Sequence, residues 1–142
     1  MYDDILFPTD GSDGANAAQE HAIEQALAHD ATLHVLYVIE DTFPAVEADA
    51  PDMLAELERE GERSLETARA QANAADVESI RGTVASGSPY RQILAYVDEH
   101  DIDMIVMGTH GRRGIDRYLL GSVAEKVVRS ADCPVVTVRS DE

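Results

Sequence analysis

Apolar positions along the chain of 142 residues alternate between two periods. Short, nearly continuous apolar runs recur at Asp4–Pro8 ("DILFP"), Thr32–Ile39 ("TLHVLYVI"), Val77–Ala85, Asp103–Gly108 ("DMIVMG") and Pro134–Arg139 ("PVVTVR"). Each has the length of a strand, and the continuity of the second suits a sheet covered on both faces. Between the runs, apolar residues return at helical spacing. Ala18, Ala22, Ile23, Ala26 and Leu27 predict an inward face for a helix from Ala15 to His29 or Asp30. Met53, Leu54, Leu57, Leu65, Ala68 and Ala72 do so for a helix from about Asp52 to Ala75, in which Gly61 costs about 1 kcal/mol relative to alanine. Ser88 and Pro89 make an N-cap and first-turn pair for a helix with Ile93, Leu94 and Val97 inward. Val123, Val127 and Val128 mark the inner side of a last helix, Val123–Ala131.

Five strands alternating with four helices, without internal repeats or a low-complexity linker, predict one α/β domain over residues 1–142, with right-handed crossovers and a mainly parallel sheet. A chain of this length buries roughly two thirds of its unfolded surface and needs no metal or disulfide to hold it. The third strand is the most polar and belongs near an edge. Ligands in such sheets sit beyond the carboxyl ends of the strands, where the winding reverses. If the first strand is central, the loops after strands one and four meet there.

Charge sharpens that expectation. Asp and Glu number 28 against 11 basic residues, a formal net charge of −17, with Lys126 the sole lysine. Such a field repels nucleic acid and anionic lipid. It also suits concentrated salt, where a Debye length of about 3 Å at 1 M screens self-repulsion, so a halophilic host is expected. No Lys or Arg occurs from Met1 to Glu58, whereas Arg112, Arg113, Arg117, Lys126 and Arg129 crowd the stretch after strand four. Cys133 is the only cysteine, so no internal disulfide forms. No secretory signal and no apolar run of about 20 residues is present, and a cytoplasmic protein without a membrane partner is expected.

The stretch "VMGTHGRRGIDRYLLGS", Val106–Ser122, contains Gly108, Gly111, Gly121 and Ser122 in the form G-x2-G-x9-G-S. Glycines admit close approach to a phosphate, and Gly121 with Ser122 opens a helix whose unpaired N–H groups favour an anion. Ser122 adds a hydroxyl, and Arg112, directly after Gly111, adds charge-assisted hydrogen bonds if it turns inward. Gly114 reads as a turn residue. A P-loop and a G-x-G-x-x-G fingerprint are both absent, so spacing alone leaves turns and nucleotide binding equally open. Asp10 can bind a ribose hydroxyl, coordinate Mg²⁺ or cap the first helix. His110 has no neighbouring nucleophile, and His21, His29, His34 and His100 lack metal-ligand spacing, so no dedicated zinc site and no catalytic residue are assigned. Cys133 reads as a small packed residue rather than a redox sensor.

The segments "ILFPTDGS", "LHVLYVIE" and Val106–Arg139 together resemble the universal stress protein family in its nucleotide-binding branch, over essentially the whole chain. The glycine pattern matches; surface acidity and the loop around Pro44 depart. The resemblance implies a Rossmann-like three-layer α/β/α fold with strand order 3-2-1-4-5, and ATP, with Mg²⁺ on its phosphates, as ligand. Carried over by position, it implies that Pro8, Thr9 and Asp10 line the base and ribose side and that the backbone of Val38 faces the adenine edge. Met107 and Gly108 then flank the nucleoside, while Gly111, Gly121, Ser122 and Val123 hold the phosphates. It further implies a homodimer through the last strand, whose apolar edge otherwise lacks protection. Three functions remain: a regulatory or stress-response protein that senses or sequesters ATP without needing catalysis; a slow ATP hydrolase, for which no unambiguous base is visible; and a nucleotide-independent dimeric interaction module.

Overall fold

The computed structural model describes residues 2–40, 50–109 and 120–139. Nine elements follow one another: β1 (Asp4–Thr9), α1 (Asp13–His29), β2 (Thr32–Glu40), α2 (Ala50–Ala74), β3 (Ile80–Gly87), α3 (Pro89–His100), β4 (Met104–Gly108), α4 (Ser122–Ser130) and β5 (Val135–Val138). The strands form one sheet in the order β3-β2-β1-β4-β5, as expected, and every pairing is parallel. β3 and β5 are the edges.

Alternation along the central strands divides the core in two. Ile5, Phe7, Leu33, Val35, Tyr37 and Val106 turn to one face, which α1 and α2 cover; Leu6, Leu36, Ile105 and Met107 turn to the other, under α3 and α4. That double cover explains the unbroken apolarity of β2. The helices contribute narrow stripes rather than broad faces. α1 buries Ala15, Ala18, Ala22 and Ala26, and these small side chains let it lie close over β1 and β4.

Several boundaries and orientations differ from the pattern in the sequence. β3 starts at Ile80 rather than Val77, because the chain first closes α2: Asp76 takes φ 73° and the Val77 N–H donates to the Ala72 carbonyl. Val77 is buried, but as the apolar contact after a helix end. Leu27 and Val128, expected inward, are each 45% exposed because the buried stripes run through Ala22–Ala26 and through Ala124–Val127. Met53, near the start of α2, is exposed too. Gly61 has a packing reason that its propensity hid: a Cβ there would stand 2.9 Å from the Tyr37 ring, so glycine is what lets α2 approach β2.

Candidate functional site

Pro8 stands in the central strand, where its lack of an N–H matters. The Asp103 N–H donates to the Asp4 carbonyl and the Thr32 N–H to the Asp3 carbonyl, so even positions of β1 face β4 and odd positions face β2. Pro8 is an even position with no donor to offer β4. Accordingly the β1–β4 register runs only through Ile5↔Met104 and Leu6↔Ile105, while β1–β2 continues to Thr9↔Tyr37. β1 and β4 part at their carboxyl ends, at the point where the winding of the chain reverses.

A cavity of about 430 Å³ occupies that parting. Its volume lies within the range usual for small-molecule sites, roughly 300–1,000 Å³. β1 and its loop bring Pro8, Thr9 and Asp10 to it, β2 brings Val38, and β4 brings Met107 and Gly108. α4 contributes Gly121, Ser122 and Val123. Of the residues assigned from sequence, Gly111 and Arg112 lie outside the described residues, as do His110, Arg113, Gly114, Arg117 and Pro44. The other nine surround one space.

The loop after β1 organises itself. Gly11 takes φ 79°, a left-handed conformation that glycine accepts without strain. The Gly11 N–H donates to Thr9 Oγ1 at 3.0 Å and the Ser12 N–H to Asp10 Oδ1 at 2.9 Å. Ser12 caps α1, its Oγ accepting from the Ala15 N–H at 3.4 Å. The capping role considered for Asp10 therefore belongs to Ser12, while Asp10 holds the turn in front of it.

The loop after β4 is pinned at its two ends instead. The Thr109 N–H donates to the Val138 carbonyl at 3.1 Å, and the Gly121 N–H donates to the Thr109 carbonyl at 2.7 Å. These bonds draw the first and third motif glycines together and set the start of α4 against the ends of β4 and β5. Gly121 is the N-cap residue and has no side chain with which to satisfy the next amides; its carbonyl accepts from Glu125. Among the described residues no side chain caps these amides, and the start of α4 lines the cavity with the positive end of its dipole.

The remaining lining was not identified from sequence. Tyr37, Ile39 and Leu57 form one apolar wall and Pro89 and Ile93 another, with Glu40 at the rim. Leu57 and Ile93 read only as core residues, because helical periodicity marks the inward side without saying that the inward side ends in a hole. Among the described lining residues, the charged groups are Asp10 and Glu40. Thr9, Ser12, Thr109 and Ser122 supply hydroxyls.

Elsewhere, Cys133 is half-buried against the core beneath α4, and burial pushes its thiol pKa up, away from the reactive thiolate. Tyr90 has Lys126 Nζ 4.8 Å from its ring centre, tying α3 to α4 beside the cavity. No described helix is long and apolar enough to cross a membrane.

Comparison with known proteins gives one answer at three levels. The universal stress protein family, as a sequence model, matches residues 1–139. A universal stress protein of Methanocaldococcus jannaschii is 38% identical over 143 aligned residues, spanning 98% of this chain and 83% of the relative. Among solved structures, a universal stress protein of Lactobacillus plantarum superposes with a TM-score of 0.86 at 31% identity, covering 97% of this chain and 98% of that one. A universal stress protein solved in complex with cAMP superposes with a TM-score of 0.78 at 27% identity, over 99% of both chains.

Proposed function

Because the chain belongs to the universal stress protein family, we propose that its cavity binds an adenine nucleotide, ATP with Mg²⁺, and that the protein acts in a stress response by ligand-dependent changes of conformation or partner. The observation that carries this reading is the convergence of both loops, the strand parting made by Pro8 and the open N-terminus of α4 on one space. The cAMP complex of a family member supports an adenine ligand.

In this reading Pro8, Met107 and the Val38 backbone flank the base, and Asp10 accepts from the sugar hydroxyls. The first amides of α4 and the Ser122 hydroxyl donate to phosphate oxygens, with Gly111 and Arg112 completing the cradle. The residues present fit such a ligand. Apolar side chains from β2, α2 and α3 line the same cavity as the start of α4. Among the described residues no group of three or more His, Cys, Asp or Glu side chains gathers round a point. Mg²⁺ would accordingly be held mainly by the phosphates, as this ion commonly is, with the Asp10 carboxylate able to contribute. When bound it would neutralise phosphate charge. Occupancy bridges β1, β4, α2 and α3, so a ligand that contacts them best in one arrangement shifts the population toward it.

Calorimetric titration with ATP, ADP, AMP and cyclic AMP, with and without Mg²⁺ in molar KCl, tests the assignment. Saturable binding of ATP, tightened by Mg²⁺, is expected; failure to bind any adenine nucleotide overturns it and favours a nucleotide-independent module.

The proposal extends to assembly and salt. Pro134 and Val138 give their carbonyls to β4, so Thr137 is an outward position whose amide lies on the free edge of the sheet. We propose that a second copy pairs there. Thr137→Pro removes that N–H while leaving the bonds to β4, and light scattering should then report monomer in place of dimer. With a net charge of −17, the chain should also gain stability between low and molar KCl; a thermal series without such a gain rejects the halophilic reading.

A further inference from the structure

Beside the cavity, two cations converge on one aromatic ring. Lys126 Nζ stands 4.8 Å from the centre of the Tyr90 ring and the guanidinium carbon of Arg91 stands 5.7 Å from it. Arg91 Nε also donates to the Tyr90 hydroxyl at 3.1 Å. Tyr90 is half-buried, packed against the core on the α3–α4 side, and offers the cations a fixed platform. Its neighbours tie it to the cavity. Pro89, the residue before it, belongs to the lining, and Lys126 follows Ser122 and Val123, also in the lining, by one helical turn. Helical side chains lean toward the N-terminus of their own helix, which carries the ammonium group back toward the start of α4.

The chain leaves these two charges unspent. On α2 and farther along α4, Arg59, Arg69 and Arg129 each lie against a glutamate three or four residues away. No acidic residue stands three or four positions from Lys126 or from Arg91. Neither forms an ion pair with a described carboxylate, in a chain that carries 28 acidic residues. Two like charges held on one ring repel each other, and an anion beside them relieves that repulsion.

We propose that Lys126 and Arg91 form a cationic rim to the cavity that selects nucleotides by the number of their phosphates, an inference that rests on the nucleotide reading above. The dipole of α4 acts on the phosphate nearest its first turn and fades beyond it, so it gives little preference for a longer chain. The charged groups of the described lining, Asp10 and Glu40, repel each added phosphate, as does the net charge of −17. Whole cations at the rim reverse that sign. Tyr90 adds to the effect by holding the lysine in place, since a side chain already ordered loses less freedom when it meets a phosphate.

Calorimetric titration of the full chain with adenosine, AMP, ADP and ATP, without Mg²⁺, tests the rim. Lys126→Met should weaken ATP by about threefold to fivefold, ADP and AMP by progressively less, and adenosine not at all. The double variant with Arg91→Met should lose about tenfold for ATP, whereas Lys126→Arg should keep the wild-type preference. In the wild type, the ratio of ATP to AMP affinity should fall between roughly 0.2 M and 1 M KCl, because screening weakens the rim. An equal loss for all four ligands marks Lys126 as a mere tie between α3 and α4, and overturns the proposal. An unchanged ratio in the variants, a wild-type ratio that is flat or rises with salt, or ATP binding only with Mg²⁺ overturns it too, while leaving the nucleotide reading intact. A wild type that binds no adenine nucleotide under any condition sinks both. Should the variants fail to fold, the salt dependence of the wild type still decides.

Discussion

The starts of α1 and α4 both reach the cavity, and they differ in what becomes of their first amides. α1 follows "TDGS", in which Thr9, Asp10 and Ser12 each accept from an amide two or three residues on, so the turn and the helix start are closed by their own side chains. α4 follows Gly121, which has nothing to offer, and is held from behind by the bonds linking Val138, Thr109 and Gly121. Similar dipoles therefore have different uses. The first is consumed in building a rigid loop; the second remains available to an anion.

The difference can be broken by substitution. Gly121→Val places a branched side chain at the mouth of α4 and should have the largest effect: loss of two charge-assisted contacts, about 3 kcal/mol, weakens nucleotide binding by roughly a hundredfold. A calorimetric constant within a factor of three of wild type would show that α4 does not hold the phosphates. Asp10→Asn keeps an oxygen for the Ser12 N–H but removes the charge, and should reduce affinity by about tenfold with little change in melting temperature. If melting falls and affinity does not, Asp10 serves the turn alone.

The two serines sharpen the contrast. Ser12→Ala removes the α1 cap and should cost about 1 kcal/mol in urea unfolding, with nucleotide affinity unchanged. Ser122→Ala should do the reverse: about a threefold loss of affinity, the smallest effect of the set, and no measurable loss of stability, because its side chain is exposed and Gly121, not Ser122, is the N-cap of α4. Equal stability losses in the two would erase the distinction between a closed and an open helix start.

Legibility of this molecule in its sequence followed the range of the forces involved. The strands and the two glycine-bearing loops were readable because period and turn residues are local properties, whereas the strand order came from the family resemblance. Leu27 and Val128 were misplaced because apolarity does not say which side of a narrow alanine stripe the sheet occupies. Leu57, Ile93 and Tyr37 were invisible as cavity walls for a related reason. A residue lining a hole and a residue filling a core have the same sequence signature.

Pro8 shows the same boundary from the other side. Its missing N–H is written in the chain, yet the consequence, a ladder that ends at Leu6 and leaves a cleft, required knowing that even positions of β1 face β4. His34 is the stronger case. A lone histidine in an apolar run carries no hint of its hydrogen-bond partners Asp4 and Tyr96, which lie 30 and 62 residues away.

By itself, then, the sequence determined which segments become strands and helices and that a glycine-bounded helix start follows β4, since these rest on local sterics and periodic burial. Tertiary structure alone decided which α-helical amides stay open, where β1 and β4 separate, and which polar groups meet in the interior. Those outcomes depend on distances between residues far apart in the chain, and such distances exist only once the sheet has closed.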